Sequence, residues 1–203
     1  MKKIFKFVVI FLCCVMSMGT VMAKPSYVVS EDGVLIIRTK NEGEILDFDF
    51  DSVMPYDKVI VSGPLGGFDF SFLKQAINKC TSIDLTEAQV PFNKIMTQNF
   101  MDLEYLEEFK CPKTITLIES QAFNNCPNLR RVVFPKTLKK IEYESFQNCP
   151  KLEVEIPSNV EIVKSAFRDS KVTIIDPVTE PGTLVRRFCS WLLDLFRGKD
   201  KVR

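Results

Sequence analysis

Residues 123–145 read FNNCPNLRRVVFPKTLKKIEYES, and the pattern of this stretch recurs on either side of it at a constant period equal to its own length. Phe100, Phe123 and Phe146 mark the period, and Phe167 follows two positions earlier than the period requires. A unit of this length cannot bury its own apolar side chains, so neighbouring units must cover them by stacking. The sequence therefore predicts a solenoid with a continuous core along its axis.

Further positions recur in step with the phenylalanines, each apolar, small or proline and each at a constant offset, except that Pro157 and Val160 come one residue early. They are Leu103, Cys126 and Cys149, with Ser170 in the last unit; Leu106, Leu129 and Leu152; Pro112, Pro135 and Pro157; Ile115, Leu138 and Val160; and Ala122, Ser145 and Ala166. The segments LRRVVF (129–134) and LEVEI (152–156) are rich in β-branched and apolar residues, and a proline follows each. We expect them to form short strands that stack in parallel.

This pattern resembles the BspA-type leucine-rich repeat family of bacterial surface proteins, whose unit runs approximately LxxIxLPxxLxxIgxxAFxxC. The segments AFNNCPNLRRVVFPKTLKKI and SFQNCPKLEVEIPSNVEIV match it, and the resemblance covers residues 58–175. Upstream, residues 59–90 resemble the less regular first repeat, with a strand, a Gly-rich turn, a helix and a second strand. The sequence departs from the family at Glu119 and Glu142, where glycine is expected, and at Ser145, where alanine is usual.

The resemblance implies an α/β solenoid: a short leucine-rich repeat array of 23-residue units with parallel short strands, capped at both ends. It also implies a non-enzymatic protein that binds a protein or glycan ligand at the cell surface, in adhesion or recognition. Nothing in the charge pattern indicates a nucleic-acid partner.

The chain divides into five predicted segments. Residues 1–23 resemble a signal peptide, because a cationic start precedes an apolar run too short to span a bilayer. We therefore expect an exported protein, located in the periplasm, at the cell surface or outside a bacterium. Residues 24–57 are predicted to cap the solenoid of residues 58–175, and residues 176–182 to form a linker.

Within the predicted N-terminal cap, residues 27–37 have the pattern of a hairpin with a Gly-containing turn. Residues 44–54 are ambiguous. The alternation of aspartate and phenylalanine favours a strand, whereas the family resemblance favours a helix, and both interpretations stay open.

Residues 183–203 are predicted to form a basic amphipathic helix and tail. The apolar face consists of Leu184, Phe188, Trp191, Leu192 and Leu195. Such a helix can cap the solenoid, dock on a protein or lie on an anionic membrane. The last two roles define an alternative function, an assembly or membrane-associated scaffold, and leave self-association and peripheral membrane contact open.

Most common catalytic chemistry is excluded by composition, because the chain contains no histidine. The stretch from Asp47 to Asp51 fails the calcium-loop pattern, since Ser52 stands where glycine is required and Lys58 where glutamate is required. The Gly-rich stretch 62–67 lacks the lysine of a phosphate loop. We predict no catalytic residue, no metal and no cofactor.

The cysteines follow the repeat. Cys126 and Cys149 occupy the same place in adjacent units, and strands about 4.8 Å apart would permit a disulfide. The equivalent residues Leu103 and Ser170 instead favour a small buried position that holds free thiols.

One surface is predicted from the register. Glu107, Arg130 and Glu153 are each one period apart and should form a row of alternating charge on adjacent strands. The predicted ligand-facing surface comprises Glu107, Glu108, Lys110, Arg130, Arg131, Val133, Glu153 and Glu155.

Overall fold

The computed structural model describes residues 25–46, 48–53, 55–157 and 159–175. The described chain begins with the predicted hairpin, in which β1 (Ser26–Val29) pairs antiparallel with β2 (Val34–Arg38). Gly33 lies in its turn with a left-handed φ of 72°, a conformation that glycine adopts without steric cost. All other strand pairs in the described part are parallel.

The first repeat has the predicted order of elements. These are β3 (Lys58–Pro64), α1 (Gly67–Ile77), β4 (Ser82–Asp84) and β5 (Ala88–Gln89). The Gly-rich turn is shorter than expected, because Gly63 and its neighbours belong to β3 and only Leu65 and Gly66 separate strand from helix. Gly63 has a φ of 96° and lies against the Thr39 backbone, which leaves no room for a side chain.

Eight short strands form the later coils of the chain. They are β6 (Lys94–Ile95), β7 (Glu108–Lys110), β8 (Leu117–Ile118), β9 (Arg131–Val133), β10 (Lys140–Ile141), β11 (Glu153–Pro157), β12 (Glu161–Ile162) and β13 (Lys171–Ile175). The strands predicted in LRRVVF and LEVEI correspond to β9 and β11.

The strands of successive coils stack into sheets. The first sheet has the order β1-β2-β3-β4-β7-β9, with β5 also paired to β3; the second has the order β12-β10-β8-β6; and β11 pairs with β13. In the first sheet Ile83, Phe109 and Val132 are partners in register, and each is buried. Every coil thus adds one inward side chain to a shared column, and the predicted stacking is present.

The four repeat phenylalanines form a second column. Ring centroids are 5.3 Å apart for Phe100 and Phe123, 4.9 Å for Phe123 and Phe146, and 5.0 Å for Phe146 and Phe167. The interplanar angles are 14°, 5° and 2°, so the rings are nearly parallel. Phe100, Phe123 and Phe146 are fully buried, as a core formed between coils requires.

The cysteine position of the repeat has a hydrogen-bonding role. The Cys126 Sγ donates to the Phe100 carbonyl at 3.2 Å, and the Cys149 Sγ donates to the Phe123 carbonyl at 3.2 Å. Ser170 Oγ makes the same bond to the Phe146 carbonyl at 2.5 Å. In the last three coils the position thus holds a small donor, and serine can replace cysteine because it makes the same bond; the first of the four coils has Leu103 there instead.

The cysteines of the described residues, Cys80, Cys111, Cys126 and Cys149, are free and buried, as predicted. A hydrogen bond from Cys149 and burial raise the pKa of the Cys126 thiol. Burial also raises the pKa of Cys111. The thiols of Cys111 and Cys126 are therefore protonated at neutral pH.

The strand favoured for residues 44–54 is wrong. The described residues there form a turn followed by a short 3-10 helix at Asp51–Val53. Carboxylates accept from backbone donors that a strand would need: Asp69 accepts from the N–H of Ile45 at 3.1 Å, and Asp49 accepts from the N–H of Ser52 at 3.3 Å. The helix expected from the family resemblance is likewise limited to one 3-10 turn.

The coils turn sharply after each repeat phenylalanine. The turn residues Asp102, Asn125, Asn148 and Asp169 have φ values of 62°, 60°, 56° and 61°. Asparagine and aspartate adopt this left-handed conformation more readily than other non-glycine residues, because their short side chains form local hydrogen bonds.

Three predicted segments lie outside the described residues: the signal peptide, the linker and the C-terminal helix with Leu184, Phe188, Trp191, Leu192 and Leu195. Among the described residues there is no transmembrane helix.

Candidate functional site

The outer face of the first sheet carries four of the predicted surface residues. Glu108, Lys110, Arg131 and Val133 lie at alternating positions of β7 and β9, while Phe109 and Val132 between them are buried. Glu108 pairs in register with Arg131, and Lys110 with Val133. The structure therefore brings these four side chains together on one surface.

Ion pairs connect neighbouring coils on this face. The Lys110 ammonium lies 2.9 Å from Asp84 Oδ2, and the guanidinium Nε of Arg131 lies 3.7 Å from Glu108 Oε1. Burial alone would raise the pKa of Asp84, but hydrogen bonds from Thr86 and the Lys110 ammonium hold it below its usual value. The Asp84–Lys110 pair is the best-formed contact of the face.

The predicted charge row is present in its first half only. Arg130 Nε lies 3.9 Å from Glu107 Oε2, whereas Glu153 forms no ion pair among the described residues. Backbone hydrogen bonding between these coils nevertheless continues, because the Glu153 N–H donates to the Arg130 carbonyl at 2.9 Å. The three exposed residues therefore lie on adjacent coils as predicted, with an ion pair in the first half of the row only.

A one-residue deletion explains the interruption. Five residues separate Leu129 from Pro135, but only four separate Leu152 from Pro157. The Glu153 N–H keeps its bond to the Arg130 carbonyl, but the shortened segment after it does not continue the pairing of β9, and the ladder of the first sheet ends there. Because side chains alternate along a strand, a shift of one residue changes which of them face outward.

A groove of about 770 Å³ opens between β9, the last strand of the first sheet, and β11, which pairs with β13 in a separate sheet. Its lining residues are Arg130, Arg131, Val132, Val133, Phe134, Glu153, Val154, Glu155 and Lys171. Val132 and Val154 are nearly buried, whereas Glu155 and Lys171 are exposed. The groove thus combines apolar side chains with charges of both signs, and five predicted surface residues line it.

The N-terminal half of the same face carries an outward apolar pair, Ile36 and Ile60, a feature that the sequence interpretation missed. Ile60 is 37 % exposed, pairs in register with Ile36 of β2, and belongs to the same outward row as Asp84 and Lys110. The signal was present in VLIIR (34–38), where Val34 and Ile36 are apolar although they alternate with the buried Leu35 and Ile37.

Within the described residues, no group of three or more Cys, Asp or Glu side chains is placed to hold a metal ion. The Gly-rich stretch provides no anion site either, since Gly63 closes against Thr39 and Asp69 accepts from the N–H of Gly66 at 2.7 Å. Asp69 is fully buried and fixes the start of α1.

A family model for the BspA type leucine rich repeat region matches residues 71–180 in six copies. The chain belongs to this family. The match spans more than half of the chain and includes every coil that contributes to the groove. No curated protein sequence shows a significant match.

Several solved structures are similar to this BspA-type repeat protein. The pneumococcal vaccine antigen PcpA has 13 % identity and a TM-score of 0.42, with 74 % of this chain and 48 % of that chain covered. A leucine-rich repeat protein from Bacteroides capillosus has 17 % identity and a TM-score of 0.37, with 74 % and 94 % covered. A leucine rich cell surface protein from Faecalibacterium prausnitzii has 15 % identity and a TM-score of 0.35, with 80 % and 56 % covered. The chain spans about half the length of the pneumococcal protein.

Proposed function

We propose that this protein is exported and recognises a protein partner through the outer face of its first sheet. The groove between β9 and β11 is the observation that carries the proposal. It places the apolar groups of Val133 and Phe134 beside Arg131, Glu155 and Lys171. Apolar contact surrounded by charged residues is the usual composition of a protein–protein interface.

The charges favour a partner with a mixed surface over a strongly acidic or basic one. Arg130 and Arg131 already face Glu107 and Glu108, whereas Glu153, Glu155 and Lys171 form no ion pair among the described residues. A partner loop with one basic and one acidic side chain could engage those three groups, and its apolar residues could contact Val133. The mechanism is complementarity of shape and charge, without a chemical step.

The architecture proposed with this function is a short solenoid of 23-residue units, capped at both ends. The β1–β2 hairpin lies at one edge of the first sheet and supports its role as the N-terminal cap. At the other end, Phe167 stacks on Phe146 and is only partly buried. Residues 183–203 supply an apolar face that could cover that end.

Binding of the full chain to a panel of purified extracellular-matrix proteins, measured by biolayer interferometry, tests the proposed partner class. We expect at least one partner to bind, and Val133→Glu to weaken it by about tenfold or more, or about 1.4 kcal/mol. Lys136→Glu is the matched control, since Lys136 is exposed and does not line the groove. Failure of the whole panel with folded protein, or equal binding by both variants, would contradict the proposal.

Labelling of intact cells with a membrane-impermeant amine reagent tests export. The many exposed lysines, Lys136 and Lys171 among them, should react without cell lysis. Recovery of the unlabelled protein in the cytosolic fraction alone would overturn this part of the proposal.

A further inference from the structure

A second groove lies between α1 and the turn of the next coil at residues 97–102, and it encloses about 710 Å³. Its lining residues are Phe70, Ser71, Lys74, Gln75, Asn78, Thr97, Gln98, Asn99, Met101 and Asp102. Six of these ten side chains are neutral amides or hydroxyls. Phe70, which is 2 % exposed, packs edge to face against Phe100 at 5.9 Å, so its ring belongs to the core.

Asn99 is exceptional within the repeat. It stands directly before Phe100, at the position that Ala122, Ser145 and Ala166 occupy in the following coils. Those three residues are fully buried. Ser145 Oγ donates to the Glu119 carbonyl at 3.1 Å, so a side chain at this position reaches the preceding coil. For Asn99 the preceding coil contains α1, and the groove separates the two.

The amide of Asn99 has an unused donor. Its Nδ2 atom is buried, and no hydrogen-bond acceptor within the described residues reaches it. A buried donor without a partner costs free energy, because it loses water and gains nothing in return. An asparagine retained where alanine packs well therefore points to an acceptor supplied from outside the chain.

We propose that this groove binds a neutral carbohydrate, with Asn99 Nδ2 donating to a sugar oxygen. Amides and hydroxyls both donate and accept, and so do the hydroxyl groups of a sugar. The formal charges of the lining, Lys74 and Asp102, oppose each other and favour no charged ligand. Phe70 leaves no open apolar pocket for a peptide side chain, and the volume lies in the range of small-ligand sites.

The test uses the full chain and four neutral trisaccharides: cellotriose, maltotriose, mannotriose and chitotriose. Saturation-transfer NMR identifies a bound sugar, and calorimetric titration then gives its dissociation constant. We expect binding of at least one sugar, with Asn99→Ala weakening it by about tenfold. Asn99→Ala should fold with an unchanged or higher melting temperature, because it removes the unpaired donor and restores the residue type of the other coils.

Two further variants make the result specific. Gln75→Ala, on the exposed side of α1, should also weaken sugar binding, whereas Asn124→Ala, in the next coil and outside the groove, should not. Absence of binding to all four sugars by folded protein would overturn the proposal and assign the Asn99 donor to a bound water. Equal affinity of wild type and Asn99→Ala would overturn it as well. Val133→Glu lies on the first sheet and should leave sugar binding intact, so the two sites are tested separately.

Discussion

Replacement of Phe123 by leucine probes the phenylalanine column directly. The Phe123 ring is fully buried and has three aromatic neighbours: Phe100 at 5.3 Å, Phe146 at 4.9 Å and Phe109 at 4.7 Å. Leucine keeps most of the apolar volume and removes the ring contacts. Each aromatic pair contributes about 0.5–1.5 kcal/mol beyond buried area, so we expect Phe123→Leu to cost about 2–3 kcal/mol.

Two other phenylalanines provide graded controls for the same substitution. Phe167 is partly buried and has one aromatic neighbour among the described residues, Phe146, so Phe167→Leu should cost about 1 kcal/mol. Phe92 is 80 % exposed and has no aromatic neighbour among the described residues, so Phe92→Leu should change stability by less than about 0.5 kcal/mol.

Urea unfolding followed by far-UV circular dichroism measures the series. With a slope of about 2 kcal/mol per molar urea, Phe123→Leu should lower the unfolding midpoint by roughly 1 M. Refutation would come from equal midpoints for Phe123→Leu and Phe92→Leu, or from a larger loss for Phe167→Leu than for Phe123→Leu. Either result would mean that stacking between coils does not determine stability.

Three further predictions concern Asp84, Gly63 and the C-terminal segment. The lowered pKa of Asp84 means that its charged form stabilises the fold above its unfolded pKa of about 3.9, and that this stability is lost as the pH falls through the lower folded value. Asp84→Asn should therefore melt roughly 2 °C below wild type at pH 7, and the difference should shrink as the pH falls below about 3.9; a constant difference would contradict this linkage. Gly63→Ala would place a Cβ 2.1 Å from the Thr39 carbonyl at a φ of 96°, so calorimetry should show a loss above about 2 kcal/mol. The control Gly67→Ala meets nothing within 4 Å and should be neutral or slightly stabilising. Deletion of residues 183–203 should cause aggregation in size-exclusion chromatography, whereas an unchanged monomer would rule out a capping role for that segment.

The repeat could be predicted from the sequence because its period is carried by large apolar residues. Phe100, Phe123 and Phe146 recur at one interval, and stacking is the arrangement that buries all of them. The tight turns could also have been predicted from the sequence, because Asn125 and Asn148 are residue types that tolerate a positive φ. The free state of Cys126 and Cys149 could also be predicted, because Ser170 occupies the equivalent position in the last coil and cannot form a disulfide.

The site was harder to predict, because it depends on register and not on residue type. Glu153 lies one full period after Arg130 and bonds to its carbonyl, yet the coil is one residue shorter before Pro157 and Glu153 forms no ion pair with Arg130 among the described residues. The strand favoured for residues 44–54 was wrong for a different reason. The buried carboxylates of Glu44 and Asp69 accept hydrogen bonds from backbone N–H groups of Lys40 and Ile45. Asp69 is distant in the sequence, so the pattern of residues 44–54 alone does not reveal this contact.

The parallel coils also determine how the length of the molecule could change. The N–H of Arg130 bonds to the carbonyl of Glu107, and the carbonyl of Arg130 accepts from the N–H of Glu153, so one coil presents the same backbone groups to the coils before and after it. A duplicated copy of residues 112–134, inserted in series, would find partners on both sides. The antiparallel hairpin offers no such continuation, so tandem duplication can extend this protein internally but not beyond its first strand.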